Sequence, residues 1–454
     1  MSRPGPGGRR RKARTTARQS ALRGLVAVEL GKSARLRDVV DVEGLEPRDR
    51  DFAWELAQGT ERLHLMLDHV LTQFVTKRLP KVAVVRSVLR LGAYQLLMLS
   101  RVPARAAVNE TVGLLRDGRG FPNAVLRRIA ERIHSRPADP GAPRRELALP
   151  DGPDGSRCLA FDGDAFPEPD SPEFLAARYG LPEFLVRRWV EAHGFDAATS
   201  VCLASSTAPS VFLRATGRAP DPEEFVARLA AESVKVEPFA ESIFRLISGP
   251  AFATRSFAEG WFMAQDPTAY AAAREVDARP GERVLDLCAA PGTKTMVLAE
   301  GVGPEGTVFA WDVSRWKLDL VRENAERLGL TDRIEYPATS VLDEPVDRAL
   351  ADVPCSNVGV LARRVEVRRR ITEDGIRELT KVQGDCLQRA VAACRPGGAV
   401  VYSTCSIEPE ENRGVVDEVI RNAGESCEFV SDRLTLPDPA GGDGGYFAVL
   451  RRKD

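Results

Sequence analysis

Residues 284–295, with the sequence VLDLCAAPGTKT, decide the fold of this chain. A short apolar run is interrupted by Pro291 and Gly292 and is followed by residues able to start a helix, a pattern that predicts a strand, a tight turn and a helix. In an open α/β sheet such a turn lies at the carboxyl end of a strand, where ligands bind and where free backbone N–H groups attract anions. The stretch therefore predicts a ligand-binding loop.

The ligand is not held by either of two common nucleotide motifs. A phosphate-binding loop needs glycines where Thr293 and Cys288 stand, and the dinucleotide pattern G-x-G-x-x-G is absent. A second predicted strand, residues 307–311, ends in Asp312. An acidic side chain at that place can accept both ribose hydroxyls of an adenosine.

The loop resembles the cofactor loop of the RNA 5-methylcytosine methyltransferases, and the whole chain looks like the bacterial ribosomal RNA branch of that family, the Sun/RsmB type. The family loop usually has a second glycine where Thr293 stands. The resemblance implies S-adenosylmethionine as cofactor. The resemblance implies that the cofactor is bound by Asp312, by Asp352 and by the loop residues Cys288, Ala289, Ala290, Pro291, Gly292, Thr293 and Lys294.

The length and composition of the chain limit its number of domains, the ligands it can bind and the compartment in which it is found. A chain of 454 residues has room for about three domains. The formal net charge is -1, which argues against nonspecific nucleic-acid binding over the whole surface. No C-x-x-C spacing occurs and the four histidines all precede residue 194, so no metal site is expected. Scattered cysteines, the lack of a secretory signal and the lack of a membrane-length apolar run predict a cytoplasmic protein.

The N-terminal third divides into an arm and a helical bundle. Residues 1–18 carry seven cationic side chains and no acid, which is typical of a disordered arm that contacts phosphates or of a solubilising tail. Residues 19–134 have apolar residues at helical spacing, which predicts an all-α bundle. This segment resembles the NusB-like RNA-binding domain of the family, for example at Leu89-Arg-Leu-Gly-Ala-Tyr-Gln95.

The remaining two thirds predict a linker and two further domains. Residues 135–170 are rich in Pro, Gly and Asp and are expected to form a linker whose acidic part loops away from RNA. Residues 171–270 resemble the small α+β domain of the family, although Thr216 stands where the family has Asn. Residues 271–454 alternate strands and helices, which predicts a Rossmann-like α/β methyltransferase domain with a mostly parallel sheet and an antiparallel last strand.

The reaction of the family explains which side chains matter. Carbon 5 of cytosine is a poor nucleophile, but a thiolate that adds to C6 turns the ring into an enamine able to attack a sulfonium methyl group. A carboxyl group near N3 helps by neutralising charge. Residues 348–356 place Asp352 at a strand end and Cys355 in the loop after it, and residues 400–406 end another strand in Cys405.

The resemblance assigns separate roles to the two cysteines. Cys405 is the attacking thiolate, Cys355 assists product release, and Asp352 is the N3 partner. The sequence does not fix which thiol faces C6, since in DNA cytosine methyltransferases the Pro-Cys thiol attacks. Five further cysteines are expected to pack as small apolar groups: Cys158, Cys202, Cys386, Cys394 and Cys427.

Two features depart from the family pattern. Residues 337–340 offer no acid to hold the adenine amine, and Val365 and Glu366 replace the family's Pro and Asp. A dense basic cluster remains beside the catalytic loop and is interpreted as a phosphate clamp, with a solvated charge run as the alternative. The predicted RNA contacts are Arg363, Arg364, Arg368 and Arg370.

The sequence thus predicts a monomeric, S-adenosylmethionine-dependent RNA cytosine-C5 methyltransferase that acts on small-subunit ribosomal RNA. Transfer RNA is the alternative substrate. A catalytically silent RNA-binding protein is the alternative from another class, and the missing adenine acid favours it. Retention of Asp352 and of both cysteines argues against a silent site.

Overall fold

The computed structural model describes residues 15–76, 78–137, 157–161, 165–439 and 441–453. The chain divides into two compact units, residues 1–202 and 203–454. Most of the predicted basic arm, residues 1–14, lies outside the described residues. The arm was predicted to extend to Arg18, but this residue belongs to the first helix, which Thr16 caps by accepting the Gln19 N–H.

The first unit is mainly helical. Its helices are α1 (Ala17–Glu29), α2 (Pro47–Arg62), α3 (His64–Gln73), α4 (Ala83–Met98), α5 (Ala104–Val112), α6 (Gly120–Glu131), α7 (Pro172–Tyr179) and α8 (Glu183–His193), and α9 (Phe195–Ser206) crosses into the second unit. Helix α4 packs against α1, α2, α3, α5 and α6, which confirms the predicted bundle. A Cβ at Gly59 would lie 2.0 Å from the Tyr94 hydroxyl and one at Gly92 would lie 2.4 Å from Leu126, so both glycines allow helices to approach closely.

Part of the predicted linker is ordered structure. Strands β1 (Ile133–Pro137) and β2 (Arg157–Phe161) pair antiparallel. Further on, the Phe166 ring stacks on His69 of α3 at 5.7 Å, and His69 Nε2 lies 3.0 Å from the Ala165 carbonyl oxygen. The end of the acidic stretch therefore packs on the bundle, because the aromatic and apolar side chains among its acids find a buried site.

The second unit begins with a small antiparallel sheet. It contains β3 (Val211–Ala215), α10 (Pro222–Ala231), β4 (Lys235–Ala240), β5 (Ile243–Ser248), α11 (Arg255–Ala258) and β6 (Phe262–Ala264), in the strand order β4-β5-β3-β6. Thr216 donates to the Gly260 carbonyl oxygen at 2.6 Å, so its hydroxyl closes the end of this sheet. Gln265 then donates to the Thr293 carbonyl oxygen at 3.3 Å, which ties the sheet to the predicted ligand-binding loop.

A seven-stranded sheet follows in the same unit. Its elements are α12 (Pro267–Arg274), β7 (Arg283–Leu287), α13 (Thr293–Val302), β8 (Thr307–Trp311), α14 (Leu318–Leu328), β9 (Ile334–Glu335), β10 (Val346–Asp352), α15 (Glu373–Ala393), β11 (Cys394–Thr404), α16 (Val415–Ala423), β12 (Cys427–Thr435) and β13 (Gly445–Arg452).

The strand order β12-β13-β11-β10-β7-β8-β9 explains where the site forms. Strands β7 to β11 are parallel, and β13 pairs antiparallel with β11, as predicted. Apolar side chains of α13 and α14 form one buried cluster with the sheet, and those of α15 and α16 form another. The loops after β7, β8, β10 and β11 therefore meet at one edge of the sheet, where a doubly wound fold binds its ligands.

Candidate active site

The loop between β7 and α13 has two residues with positive φ and is held in place by β8 and α14. Cys288 has a φ of 78° and Gly292 one of 103°. The N–H groups of Cys288 and Ala289 both donate to the Trp311 carbonyl oxygen, at 2.8 and 2.9 Å. A Cβ at Gly292 would lie 3.1 Å from Val321 Cα, so helix α14 passes directly against the turn. The loop is thus fixed against β8 and α14, with its last residues starting α13.

Asp312 lies immediately after β8 beside this loop. The residue is 6% exposed, and its carboxylate accepts the Ser314 N–H at 2.7 Å and the Ala290 N–H at 3.3 Å. Because a carboxylate can accept about four hydrogen bonds, roughly two acceptor positions remain. The residue is therefore suited to bind a pair of neighbouring hydroxyl groups, as the ribose of S-adenosylmethionine provides.

Lys294 and Asp352 connect the loop after β7 with the end of β10. Lys294 Nζ lies 2.7 Å from Asp352 Oδ2, and the two side chains are 14% and 31% exposed. Burial lowers the pKa of Lys294, but the charge of Asp352 and the hydrogen bond to it outweigh burial and raise the pKa above its ordinary value. The lysine is thus a cation, and its partner is the acid predicted to serve the substrate base.

The two predicted cysteines lie together. Strands β10 and β11 are parallel neighbours in which Asp352 pairs with Ser403, so the loops after them start side by side. The Cys355 and Cys405 Sγ atoms are 3.1 Å apart. Cys355 is buried, whereas Cys405 is partly exposed and lines a cavity together with Lys294 and Tyr446.

The surroundings of the two thiols differ. The hydrogen bond with Cys405, burial and the negative charge of Glu411 raise the pKa of Cys355 well above its ordinary value. Cys355 is therefore a thiol that can donate its proton towards Cys405. Cys405 Sγ also lies 3.5 Å from Asn357 Oδ1, and the Cys405 carbonyl oxygen accepts the Gly359 N–H at 3.0 Å. The loop after β10 thus holds Cys405 from two directions.

The predicted phosphate clamp requires a correction. Arg368 is 3% exposed and donates to the carbonyl oxygens of Leu361, at 2.9 Å, and Ser205. Arg363 binds two carboxylates, with Nε 2.5 Å from Asp443 Oδ2 and Nη2 3.2 Å from Asp266 Oδ2. Both side chains hold the protein together, because buried carbonyls and acids need donors. A phosphate contact is therefore wrong for Arg368, whereas the Arg363 side chain is 30% exposed and its phosphate contact stays a prediction. Arg364 is partly buried and Arg370 is exposed.

Several residues of the site were missed by the sequence analysis. Asn357, with a φ of 63°, donates to the Cys355 carbonyl oxygen at 2.7 Å. Glu411, at 0% exposed, accepts hydrogen bonds from the serines that follow each cysteine. The only signal for Glu411 was an acidic run after the second cysteine motif, Glu408-Pro-Glu-Glu411. Among the residues that the structure describes, no group of His, Cys, Asp or Glu could hold a metal ion, and no helix could span a membrane.

Comparison with known proteins shows which family this chain is similar to. A family model described as 16S rRNA methyltransferase RsmB/F matches residues 273–442, and the NusB family model matches residues 15–131. A Bacillus subtilis (strain 168) protein, named "Probable ribosomal RNA small subunit methyltransferase B", is 31% identical over 97% of this chain and 99% of its own length. The ribosomal RNA small subunit methyltransferase B of Vibrio cholerae serotype O1 is 31% identical over 94% of this chain and 95% of its own.

A solved structure agrees with the fold. The methyltransferase homolog protein from Pyrococcus horikoshii has a TM-score of 0.55 and 25% identity, and it covers 63% of this chain and 100% of its own. The solved protein is thus similar in fold over nearly two thirds of this chain.

Proposed function

This chain belongs to the RsmB/F family of 16S rRNA methyltransferases, and we propose that it methylates C5 of a cytosine in 16S ribosomal RNA through a covalent bond between Cys405 and C6. The protein is an S-adenosylmethionine-dependent methyltransferase. The observation that carries the proposal is the Sγ–Sγ distance of 3.1 Å at the ends of two neighbouring parallel strands. One thiol can attack the base while the other stands beside it.

Cys405 performs the addition. Its thiolate forms a bond to C6, and the electron pair of the C5=C6 bond moves toward C5, which then takes up the methyl group. Bound S-adenosylmethionine supplies that methyl group as an electrophile. Partial exposure of Cys405 on the cavity that Lys294 also lines supports its role as nucleophile, since the buried Cys355 is less accessible.

Asp352 and Lys294 act on the base during addition. The Asp352 carboxylate takes up the proton that the Cys405 thiol loses and passes it to N3 as negative charge moves into the ring, which is general acid–base catalysis. The ion pair at 2.7 Å holds the carboxyl group at the end of β10, three residues before Cys355. The cation also offsets the charge of Asp352 beside an attacking thiolate.

Cys355 assists release of the methylated base from Cys405. The C5 proton passes to water, the C6–S bond breaks, and its electrons return to Cys405 as a thiolate. A hydrogen bond from the Cys355 thiol stabilises that thiolate as a leaving group and lowers its tendency to attack again. The raised pKa of Cys355 supports this role, because the residue keeps the proton that it must donate.

The Asp312→Ala variant should bind S-adenosylmethionine about tenfold or more weakly, because hydrogen bonds to a charged acceptor contribute about 1.5 to 3 kcal/mol each. Titration calorimetry measures the affinity, and Asp319→Ala, an exposed acid of α14, is the matched control. Unchanged affinity in folded Asp312→Ala would refute the ribose assignment.

RNA is the substrate, and we propose that the arm and the NusB-like bundle add contacts to it. Removing residues 1–14 should weaken RNA binding and flatten its salt dependence, since six cations, Arg3, Arg9, Arg10, Arg11, Lys12 and Arg14, can release counterions from phosphates. Filter binding over a salt series checks this, with turnover at saturating RNA expected to survive. An unchanged salt slope would make the arm a solubilising tail.

The proposal also covers the phosphate contacts, the cellular compartment and the oligomeric state of the protein. Arg363, Arg364 and Arg370 are the members of the basic cluster that we propose as phosphate contacts. A ribosomal RNA substrate implies a cytoplasmic protein, and we propose that the protein acts as a monomer.

A further inference from the structure

A buried carboxylate lies beneath the two cysteines. Glu411 is 0% exposed, and each of its oxygens accepts from two donors. Oε1 accepts the Ser356 N–H at 2.7 Å and the Gln383 side-chain amide at 2.9 Å. Oε2 accepts the hydroxyls of Ser356 and of Ser406, the latter at 2.5 Å. Four donors fill the acceptor positions of an ionised carboxylate, which balances the cost of burying its charge.

The donors come from both catalytic loops. Ser356 directly follows Cys355, and Ser406 directly follows Cys405. The two hydroxyl oxygens also lie 3.2 Å from each other. One carboxylate thus joins the residue after one thiol to the residue after the other, and the backbone of each cysteine has little freedom to shift alone.

The segment that carries Glu411 is itself anchored to β11. The Tyr402 hydroxyl donates to the Glu411 carbonyl oxygen at 2.5 Å. The next residue, Asn412, accepts the Thr404 hydroxyl at 2.6 Å and donates to the Ser406 carbonyl oxygen at 3.0 Å. Asn412 has φ −104° and ψ −105°, inside a π-helical turn. Such turns often occur at functional sites, because the extra residue redirects side chains inward.

We propose that Glu411 is a positioning residue for methyl transfer, which holds the loops after β10 and β11 together so that the Cys355 and Cys405 thiols remain in contact. The inference rests on the proposed roles of the two cysteines. Glu411 itself touches neither substrate nor cofactor. Its negative charge also disfavours ionisation of Cys355, which keeps that residue a hydrogen-bond donor to Cys405.

The Glu411→Ala variant tests the proposal. Its single-turnover methylation rate should fall about a hundredfold, because misplacing reacting groups by about 1 Å costs that much. Capture of RNA containing 5-fluorocytidine, in which the fluorine blocks release of the C6 adduct, should slow in parallel. The KM for RNA and the calorimetric affinity for S-adenosylmethionine should stay within about twofold, since both ligands bind elsewhere.

The Glu411→Gln variant adds a rescue. Its amide keeps the shape of the side chain and can still join both loops, because serine hydroxyls accept as well as donate. The rate should recover to about tenfold below wild type, since bonds to a neutral acceptor are weaker. Glu410→Gln, at the exposed neighbouring residue, is the matched control and should match wild type.

Two outcomes with the Glu411 variants overturn the proposal. One is a wild-type rate in Glu411→Ala. The other is an equal loss of S-adenosylmethionine affinity and rate in both Glu411 variants, which would mean general damage. If Glu411→Ala does not fold, the double variant Ser356→Ala, Ser406→Ala removes only the hydroxyls, and an unchanged rate there also refutes the inference. Failure of the proposed function looks different, because wild-type protein itself would then capture no 5-fluorocytidine RNA.

Discussion

Cys405→Ala should be inactive and leave no covalent adduct, whereas Cys355→Ala should accumulate an RNA–protein adduct that survives a denaturing gel. Without Cys405 no bond to C6 can form. Without Cys355 the addition and the methyl transfer still occur, but the leaving thiolate loses the hydrogen bond that the 3.1 Å contact provides, so elimination stalls. Incubation with radiolabelled substrate RNA and S-adenosylmethionine, followed by gel electrophoresis, measures both phenotypes.

The control for this pair is Cys427→Ala, a buried thiol of β12 outside the site, which should behave as wild type. An adduct that appears with Cys405→Ala and vanishes with Cys355→Ala would reverse the two roles. No adduct with either variant, together with target RNA that the wild-type protein leaves without 5-methylcytosine, would support the silent RNA-binding alternative.

Asp352→Asn should lower the single-turnover rate by about 10² to 10⁴, the range that general acid–base catalysis contributes. The amide has the shape of the carboxyl group but cannot pass a proton to N3, and it no longer neutralises Lys294. Rapid-quench measurements with saturating RNA and S-adenosylmethionine isolate this step.

Asp347→Asn is the matched control, because Asp347 lies on the same strand and binds Arg283 and Arg395 away from the cysteines. A rate in Asp352→Asn equal to that of this control would remove Asp352 from the chemistry and leave it only as the partner of Lys294.

The sequence predicted the parts of the site that follow from strand order. Cys355 and Cys405 each follow an apolar strand, and parallel strands bring their carboxyl ends to one edge, so the two thiols could be expected close together. The resemblance to a family added their roles. The Lys294–Asp352 ion pair joins the first turn of α13 to the end of β10, and no local pattern reveals which charges meet between such distant segments.

Other features of the structure were not predicted, in two cases because the sequence does not show where a side chain points. The cluster around Arg368 predicted a charged surface, but a run of arginines does not show which of them point inward to carbonyl groups. Glu411 was missed for the opposite reason, since an acid in a polar run is usually solvated and here the π-helical turn directs it inward. Strands β1 and β2 were missed because their partners are separated by a stretch without periodicity.

The Lys294–Asp352 pair has a thermodynamic consequence. One member belongs to the loop that we propose binds the cofactor, and the other belongs to the strand that we propose serves the substrate base. If S-adenosylmethionine changes the position or charge of this ion pair, it changes the free energy of RNA binding. By linkage, RNA then changes the free energy of S-adenosylmethionine binding by the same amount. If S-adenosylmethionine tightens RNA binding by some factor, RNA must tighten S-adenosylmethionine binding by the same factor. A single ion pair thus gives the enzyme a means of making the occupancy of its two ligands cooperative.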